Sequence, residues 1–332
     1  MNAAAYLREK AGAREHCALP VLSFPAVQMM DATVGQLVKS SDLQTRAMEI
    51  VARETKAAAA VSLMDLSVEA EAFGAKVIFS EHEVPTVPSP LVLDMEGAKE
   101  LKVPSVGEGR TGIYVDAIRK AKALIQDRPV LAGCIGPYSL SGRLMDVTQI
   151  MYLCFDEPDM VELVLEKATE FLIAYGRAFR DAGADGILMA EPLAGLLSPD
   201  MNREFSVPYV KKMIDALQTD DFAVIYHNCG NAVLSMLPDL FAMGAAGYHF
   251  GNAVDMEKVL IQAPANMLCM GNVDPVHYFT DGTAEEMKQA VHALLSKCGA
   301  YPNFLLSSGC DIPPHAKWEN IRAFFAAAAA FE

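Results

Sequence analysis

A histidine and a cysteine stand two positions apart at the end of a short apolar run. The run reads DFAVIYHNCGN and places His227 and Cys229 just before a Gly-Asn turn. Because side chains at positions i and i+2 of a β-strand point the same way, both would leave one face of a buried strand. The pair is either part of a metal site or a packed cysteine beside a hydrogen-bonded histidine.

A second motif offers a third soft donor atom. Cys310 follows Gly309 in SSGCDIPP, at the end of another apolar run. Two thiolates and one imidazole suit zinc, and three protein ligands with an open fourth position are typical of catalytic zinc. The rival ligands, less favoured because they lie inside predicted strands or near a helix end, are Cys134, Cys269 and Cys298.

Short apolar runs alternate with helical patterns of ten or more residues along most of the chain. The predicted strands are 59–65, 129–136, 185–191, 222–228, 245–250, 266–272 and 303–309. Nearly all-apolar strands that alternate with helices indicate a parallel sheet covered by helices. We therefore predict an α/β fold of the (β/α)8 TIM-type barrel class, with a doubly wound open sheet as the alternative.

Two regions fall outside this alternation. Residues 1–50 are predicted to be a mainly helical N-terminal extension of one 1–332 domain whose barrel spans 51–332. Residues 76–110 are predicted to be an insertion with a hairpin and loops. Within it GEGRTG matches G-x-G-x-x-G, but a dinucleotide site requires a buried strand directly before the motif, and none is predicted there.

Polar side chains collect at the predicted carboxyl ends of the strands, the face on which barrel enzymes build their active sites. Glu191 and Asp65 are the predicted catalytic residues, and Glu191 would fill the fourth zinc position or orient a ligand. The alternative for either carboxylate is a helix cap or a salt bridge. The predicted substrate-binding residues, for which a structural role is the alternative, are Tyr138, Asn272, Asp274 and His249.

Amino-acid composition and net charge limit the kinds of binding partner that we expect. The chain has 332 residues, 52% of them hydrophobic and 21% charged, with a formal charge of −15. A nucleic acid or an anionic membrane surface needs a basic partner, so we expect neither. Seven cysteines scattered through a large chain are typical of a reducing compartment, so we expect a cytoplasmic protein, as a monomer or homodimer.

The motifs, taken in order and spacing, resemble the uroporphyrinogen decarboxylase superfamily. They are MDLSVEAEAFGAKV, GCIGPYSL, AGADGILMAEPLAGLLSP, YHNCGN, GNVDP and SSGCDIPPHAKWENIRA. The H-x-C is similar to the branch of zinc-dependent methylcobamide:coenzyme M methyltransferases. The resemblance implies that His227, Cys229 and Cys310 bind Zn²⁺.

The sequence departs from the decarboxylase branch at residues that would handle a porphyrinogen. The N-terminal segment ALPVLSFPAVQMM lacks arginine, Pro192 falls where the decarboxylases have a serine, and Cys310 falls where they have a histidine. Asp65 does match the decarboxylase-type aspartate. Apart from this aspartate, the chain resembles the decarboxylase branch in its scaffold.

The resemblance implies a methyl transfer from a methyl-Co(III) corrinoid (cobalamin), carried by a corrinoid protein, to a small thiol acceptor such as coenzyme M. The alternatives are a metal-free decarboxylase and a non-catalytic barrel that binds corrinoid proteins. A sulfonate on the acceptor would need a cationic or amide clamp, and the cationic candidates are Arg110, Arg143 and Lys317.

Overall fold

Seven parallel strands lie side by side in chain order in the computed structural model, which describes residues 1–13 and 16–331. They are β1 (Ala60–Val61), β2 (Val130–Ile135), β3 (Gly186–Ala190), β4 (Ala223–Asn228), β5 (Gly247–Phe250), β6 (Leu268–Val273) and β7 (Phe304–Ser308). All seven predicted strands are confirmed. The sequential order excludes the doubly wound sheet, in which the strand order reverses at a switch point.

A segment near the N-terminus fills the gap between β7 and β1. Ala18 makes parallel bridges both to Leu306 of β7 and to Ala57, just before β1. The Leu19 amide donates to the Leu306 carbonyl and the Ala58 amide to the Ala18 carbonyl, each at 2.8 Å. The sheet therefore curls into a ring consistent with a TIM-type barrel, although the described residues include no eighth strand of regular length.

Helices surround this ring. The α-helices are α1 (Ala3–Ala11), α2 (Val34–Leu37), α3 (Ser41–Glu54), α4 (Val68–Ala72), α5 (Met95–Glu100), α6 (Thr111–Leu124), α7 (Pro137–Met145), α8 (Gln149–Asp156), α9 (Pro158–Asp181), α10 (Pro199–Phe205), α11 (Val207–Leu217), α12 (Val233–Ala242), α13 (Met256–Gln262), α14 (Ala284–Cys298) and α15 (Trp318–Ala329). Short 3₁₀ helices span Phe24–Met29 and Leu193–Leu196, and a π-helix spans Pro275–Asp281. Across the described ranges, no helix is both long enough and apolar enough for a bilayer crossing.

The longest helix shows how the sequence sets helix bounds. Pro158 occupies the first position of α9, where its missing amide hydrogen costs no helical hydrogen bond. Gly183, just past its end, has φ +99°, a left-handed conformation that favours glycine. The chain then turns directly into β3, as the predicted strand–helix alternation requires.

The first 50 residues contain several helices, but they do not stand apart from the barrel. Leu7 of α1 packs with interior residues such as Leu131 of β2 and Leu188 of β3. The Met1 amino group lies 2.8 Å from the carboxylate of Asp185, just before β3. Because α1 lies under the amino ends of the strands and residues 18–19 complete the ring, a separate N-terminal extension is not confirmed.

The region 76–110 leaves the barrel between β1 and α6. The amide of Ile78 donates to the Thr86 carbonyl at 2.9 Å, and the reverse bond measures 3.1 Å. This antiparallel pair is the predicted hairpin. The helix α5 and a loop follow before the chain returns to the barrel at α6.

Candidate metal centre

The side chains of His227, Cys229 and Cys310 converge at the carboxyl-terminal mouth of the ring. Their donor atoms all lie within 4.8 Å of one another, and Cys310 Sγ is 3.6 Å from His227 Nε2. His227 lies near the end of β4, Cys229 directly follows that strand, and Cys310 follows Gly309 after β7. His227 is buried and both cysteines are half-buried. The structure thus brings together the three residues that the sequence proposed as metal ligands.

An asparagine shapes the turn that carries Cys229. The side-chain oxygen of Asn228 accepts the Gly230 amide hydrogen at 2.9 Å. Its side-chain nitrogen donates to the Tyr226 hydroxyl at 2.9 Å. These two bonds tie the turn back to β4, so the Cys229 side chain is held where the strand ends.

Close backbone contacts hold the same turn from both sides. A Cβ atom on Gly251, after β5, would lie 2.5 Å from Cys229 Cα. A Cβ atom on Gly195, after β3, would lie 2.5 Å from Gly230 Cα. No real Cβ fits at such distances, so glycine is required at both positions for the neighbouring loops to pack against the Cys229 turn.

The two neighbouring thiols change each other's acidity. Interaction with Cys310, and to a smaller extent with His227, lowers the pKa of Cys229 to about 4, although burial opposes the effect. Interaction with Cys229, together with burial, raises the pKa of Cys310. The pair thus favours one thiolate beside one thiol, and a bound divalent cation would displace the remaining proton.

His249 lies directly behind His227, on the side away from the thiols. The two Nδ1 atoms are 2.7 Å apart, and His227 Nδ1 is 3.3 Å from the His249 carbonyl oxygen. His249 Nε2 lies 2.7 Å from Ser307 Oγ, and the Ser307 hydroxyl donates to the Leu19 carbonyl at 2.6 Å. Burial, followed by the neighbouring His227, lowers the pKa of His249 well below its usual value.

This position differs from the pocket lining predicted for His249, since the structure encloses its ring almost completely. Ser307 did not emerge from the sequence as a site residue. The available signal was a pair of serines, Ser307 and Ser308, ending an otherwise apolar strand three and two positions before Cys310.

Glu191 caps a helix next to the metal centre. Its fully buried carboxylate accepts the amide hydrogens of Ser139 at 2.8 Å and Tyr138 at 3.1 Å, at the start of α7, and the Ser206 hydroxyl at 3.2 Å. Burial raises its pKa to about 7, although these hydrogen bonds oppose the effect. Its own amide donates to the His227 carbonyl at 2.9 Å. Glu191 thus braces the strand that carries His227 and lies outside the three-donor group.

Asp65 is fully engaged by protein groups. Its buried carboxylate accepts from Arg110 at 2.5 Å, from the Ser67 hydroxyl at 2.6 Å and from the Tyr114 hydroxyl at 2.9 Å. Arg110 also pairs with Glu71 at 2.6 Å. The sequence did not identify Arg110 as the partner of Asp65, because the two lie 45 positions apart. The GEGRTG motif carries this arginine, and no strand precedes it.

Asn272 and Asp274 organise loops at the mouth. The Asn272 side chain donates to the carbonyls of Gly251 at 2.8 Å and Val254 at 2.7 Å. Asp274 accepts the two backbone amide hydrogens that follow Pro275, and it accepts from Asn252 at 2.7 Å. Both side chains therefore shape the mouth, and substrate binding by either residue stays a prediction.

Tyr138 and the rival cysteines lie in the core. The Tyr138 hydroxyl is 3.7 Å from Cys154 Sγ, and the whole side chain is buried. The rival cysteines, which are buried and outside the three-donor group, are Cys134, Cys269 and Cys298.

Three cationic side chains are candidates for binding an anionic group of the substrate. Two of them already bind other groups of the protein. Arg110 pairs with carboxylates, as described above, and Lys317 donates to the carbonyls of Asp281 at 3.1 Å and Gly282 at 3.0 Å. Half-buried Arg143 has no hydrogen bond or ion pair with any residue in the described part of the chain. Burial lowers its pKa, and nearby Asp65 opposes this shift.

The donor set fits a zinc ion. Nitrogen and sulfur donors at the carboxyl ends of two strands match the soft ligands that zinc prefers. Two thiolates and a neutral imidazole would balance the charge of a divalent ion. Three protein ligands would leave such an ion one position for a substrate.

The fold and this site define a class of protein: a parallel (β/α) barrel with an imidazole and two thiols converging at its mouth. The sequence profile of the uroporphyrinogen decarboxylase (URO-D) family matches residues 21–331, and the chain belongs to that family.

Similarity to the methyltransferase branch is also confirmed. The chain is 30% identical to the methylcobamide:CoM methyltransferase MtbA of Methanosarcina acetivorans over 252 residues, 75% of this chain and 72% of the relative. It is 28% identical to the uroporphyrinogen decarboxylase of Chlorobium limicola over 253 residues, 73% and 70% of the two chains. A solved methyltransferase from Methanosarcina mazei superposes with a TM-score of 0.86 at 23% identity, covering 99% of this chain and 98% of that one.

Proposed function

We propose that the chain is a methyltransferase that moves a methyl group from a methyl-Co(III) corrinoid, carried by a corrinoid protein, to a small thiol such as coenzyme M. The observation that carries the proposal is the convergence of His227, Cys229 and Cys310 at the barrel mouth. The similarity to proteins named methylcobamide:CoM methyltransferases supports it.

The three residues would hold Zn²⁺ through His227 Nε2 and the two sulfurs. When bound, the ion would supply the Lewis acidity that converts an acceptor thiol to a thiolate at neutral pH. Because two cysteinates and a neutral imidazole would cancel its 2+ charge, an acceptor sulfur at this site would keep its electron density. A three-histidine site would leave a positive centre and a poorer nucleophile.

The reaction is a direct displacement at the methyl carbon. The acceptor thiol first releases its proton to solvent at the open mouth. The sulfur–carbon bond then forms as the cobalt–carbon bond breaks. The bonding pair stays on the metal of the corrinoid, so Co(III) becomes Co(I) and the thiol becomes a thioether. Holding the acceptor at the bottom of an open mouth, with the corrinoid above it, supplies the alignment that such a step needs.

Exposed apolar side chains at the mouth support a docked partner protein. Leu196, just after β3, is 62% exposed, and Val276, just after β6, is 52% exposed. A partner protein docked at the mouth would cover both side chains. A corrinoid protein seated there would bring its cofactor above the three donors.

The hydrogen bonds that Asp65 makes within the protein argue against the decarboxylase alternative. That carboxylate receives hydrogen bonds from Arg110, Ser67 and Tyr114 and has no exposed side-chain surface. A decarboxylase would need this aspartate free to meet a substrate.

The test is the Cys310→Ala variant, with Cys298→Ala as the matched control. We expect about one zinc per wild-type chain and methyl transfer from methylcobalamin to coenzyme M, followed by the absorbance change of the corrinoid. Cys310→Ala should lose both zinc and transfer, whereas the control should retain both because Cys298 lies at the end of α14, outside the donor group. Retention of both by Cys310→Ala would contradict the ligand assignment.

A further inference from the structure

We infer that His249 and Ser307 are positioning residues that fix which nitrogen of His227 carries a proton, and so present Nε2 as a ready metal ligand. The inference rests on the metal assignment of the proposed function. It concerns a chain of hydrogen bonds behind the metal centre, here called the relay, formed by His227, His249, Ser307 and the Leu19 carbonyl.

At one end of the relay, a backbone carbonyl determines which ring nitrogen of His227 carries the proton. Nδ1 of His227 lies 3.3 Å from the backbone carbonyl oxygen of His249. A carbonyl oxygen can only accept a hydrogen bond, so the proton of the neutral His227 ring is on Nδ1. Nε2 then carries a lone pair, and this is the atom that faces Cys310 Sγ at 3.6 Å.

The other end of the relay leads independently to the same assignment. The Leu19 carbonyl can only accept, so the Ser307 hydroxyl donates to it at 2.6 Å. Ser307 Oγ then accepts the Nε2 proton of His249 at 2.7 Å. This leaves His249 Nδ1 without a proton, as it must be to accept the Nδ1 proton of His227 across 2.7 Å.

The relay runs through structurally fixed elements. His227 belongs to β4, His249 to β5 and Ser307 to β7, and both histidines and the serine are buried. Leu19 belongs to the segment that fills the gap between β7 and β1. The direction of every hydrogen bond is thus set by a backbone carbonyl that the closed ring holds in place.

The functional consequence is metal affinity. A protonated Nε2 cannot bind an ion, and an acceptor behind a ligating histidine both orients the ring and strengthens its donor nitrogen. Without Ser307, His249 loses the hydroxyl that accepts its Nε2 proton, and its ring can then compete with His227 for the proton between them. Loss of such a partner typically weakens metal binding by about 10- to 100-fold.

Nitrogen-15 NMR of metal-free, histidine-labelled protein tests the proton positions directly. We expect His227 protonated on Nδ1 and His249 on Nε2 in the wild type. In Ser307→Ala, His227 should show a mixture of the two forms, whereas Ser307→Thr should retain the wild-type pattern. A wild-type His227 protonated on Nε2 would overturn the inference.

Zinc affinity, measured by competition with a chromophoric chelator, is the second readout. Ser307→Ala and His249→Leu should bind zinc about 10- to 100-fold more weakly. His249→Asn, which keeps an acceptor oxygen, should remain closer to the wild type. The matched control is Ser308→Ala, because Ser308 is a buried serine of the same strand that accepts from the Val21 amide outside the relay.

Equal zinc affinities for Ser307→Ala and Ser308→Ala would overturn the inference, as would a wild-type protein that binds no zinc. Neither readout uses methyl transfer. A protein that shows the expected tautomers and affinities but does not methylate thiols therefore contradicts the proposed function and leaves the relay standing.

Discussion

Arg143 is a half-buried cation without an ionic partner among the described residues, and this makes it the best-placed candidate for binding an anionic acceptor. Arg110 is neutralised by two carboxylates, and Lys317 donates to backbone carbonyls. The carboxylate that affects the pKa of Arg143, that of Asp65, is hydrogen-bonded to Arg110 instead. Because a half-buried guanidinium without a hydrogen-bonded counter-charge is costly, a sulfonate or carboxylate on the substrate would relieve that cost. We propose that Arg143 selects for the anionic group.

Replacing Arg143 by methionine should raise the KM for coenzyme M by about 10-fold or more, which is the usual value of a charge-assisted hydrogen bond. The KM for 2-mercaptoethanol, a neutral thiol, should change little because it has no anionic group to bind. Steady-state kinetics with methylcobalamin and both thiols would measure the difference, and Lys317→Met serves as the control. An equal change in KM for both acceptors would show that Arg143 does not bind the anionic group of coenzyme M.

A second prediction at the scale of residues concerns Glu69 and the pH dependence of the unfolding free energy. Its buried carboxylate accepts the Ile135 amide hydrogen through one oxygen at 3.1 Å, while its other oxygen has no partner. Burial raises its pKa from 4.5 to about 7. Because the folded-state pKa lies above the unfolded-state value, the folded protein holds this proton more tightly, and the associated stability is lost as pH rises from about 4.5 through 7.

Glu69→Gln removes this titration, because the amide stays neutral. Between pH 5 and pH 8 the wild type should lose roughly 2 to 3 kcal/mol of unfolding free energy relative to the variant. Urea denaturation at the two pH values would measure the difference. If the wild type and Glu69→Gln change in parallel, Glu69 does not titrate in this window.

At the scale of elements, the proposed metal centre depends on how closely three loops approach one another. The Cys229 turn contacts Gly195 of the loop after β3 and Gly251 of the loop after β5. In Gly251→Ala the new methyl group would lie 2.5 Å from Cys229 Cα and must push the turn away. We therefore expect zinc affinity to fall by about 10-fold or more, the order seen when the support of a metal ligand is lost.

Gly97→Ala is the control, because a methyl group there meets nothing closer than 3.5 Å. Zinc competition assays on both variants would be compared with circular dichroism, which should show an intact fold. Wild-type zinc affinity in Gly251→Ala would mean that the Cys229 turn can shift without moving its sulfur from the site.

The sequence predicted strands and helices well where a single local pattern determines them. All seven strands were visible as apolar runs, and the 158–181 helix had Pro158 and Gly183 at its ends. Ring closure was not predictable in this way, because residues 18–19 are recognisable as part of the sheet only once their neighbours Ala57 and Leu306 are in place. A separate helical extension was predicted there for that reason.

The residues of the candidate site were predictable where a local motif marks them, and their contacts were not predictable where distant segments meet. His227, Cys229 and Cys310 were found because H-x-C and SSGC mark strand ends, where a barrel brings side chains together. The bonds of Glu191 to α7 and of Asp65 to Arg110 join distant segments, so the sequence left a helix cap and a salt bridge open as alternatives. His249 was expected at the pocket, and only the pairing of β4 with β5 places it behind His227.

At the scale of the whole molecule, the proposed ion would join segments that are far apart in the chain. Cys229 and His227 lie at the end of β4, and Cys310 lies beyond β7, with β5 and β6 between them. An unfolded chain cannot hold these three donors together, so the proposed zinc ion would bind the folded state much more tightly. Its binding free energy is then added to the stability of the entire ring.

Free zinc should therefore raise the unfolding free energy of the wild type by RT ln(1 + [Zn]/Kd), about 2.7 kcal/mol at 100 times Kd. Denaturation of chelator-treated protein, titrated with buffered zinc, would measure this increase. Cys310→Ala should show little zinc dependence, whereas Cys298→Ala should follow the wild-type curve, because only the first removes a donor from the mouth. Were the stability of the wild type independent of zinc while zinc remained bound, the ion would have to bind outside the folded centre, and the joining of β4 to β7 through the ion would be refuted.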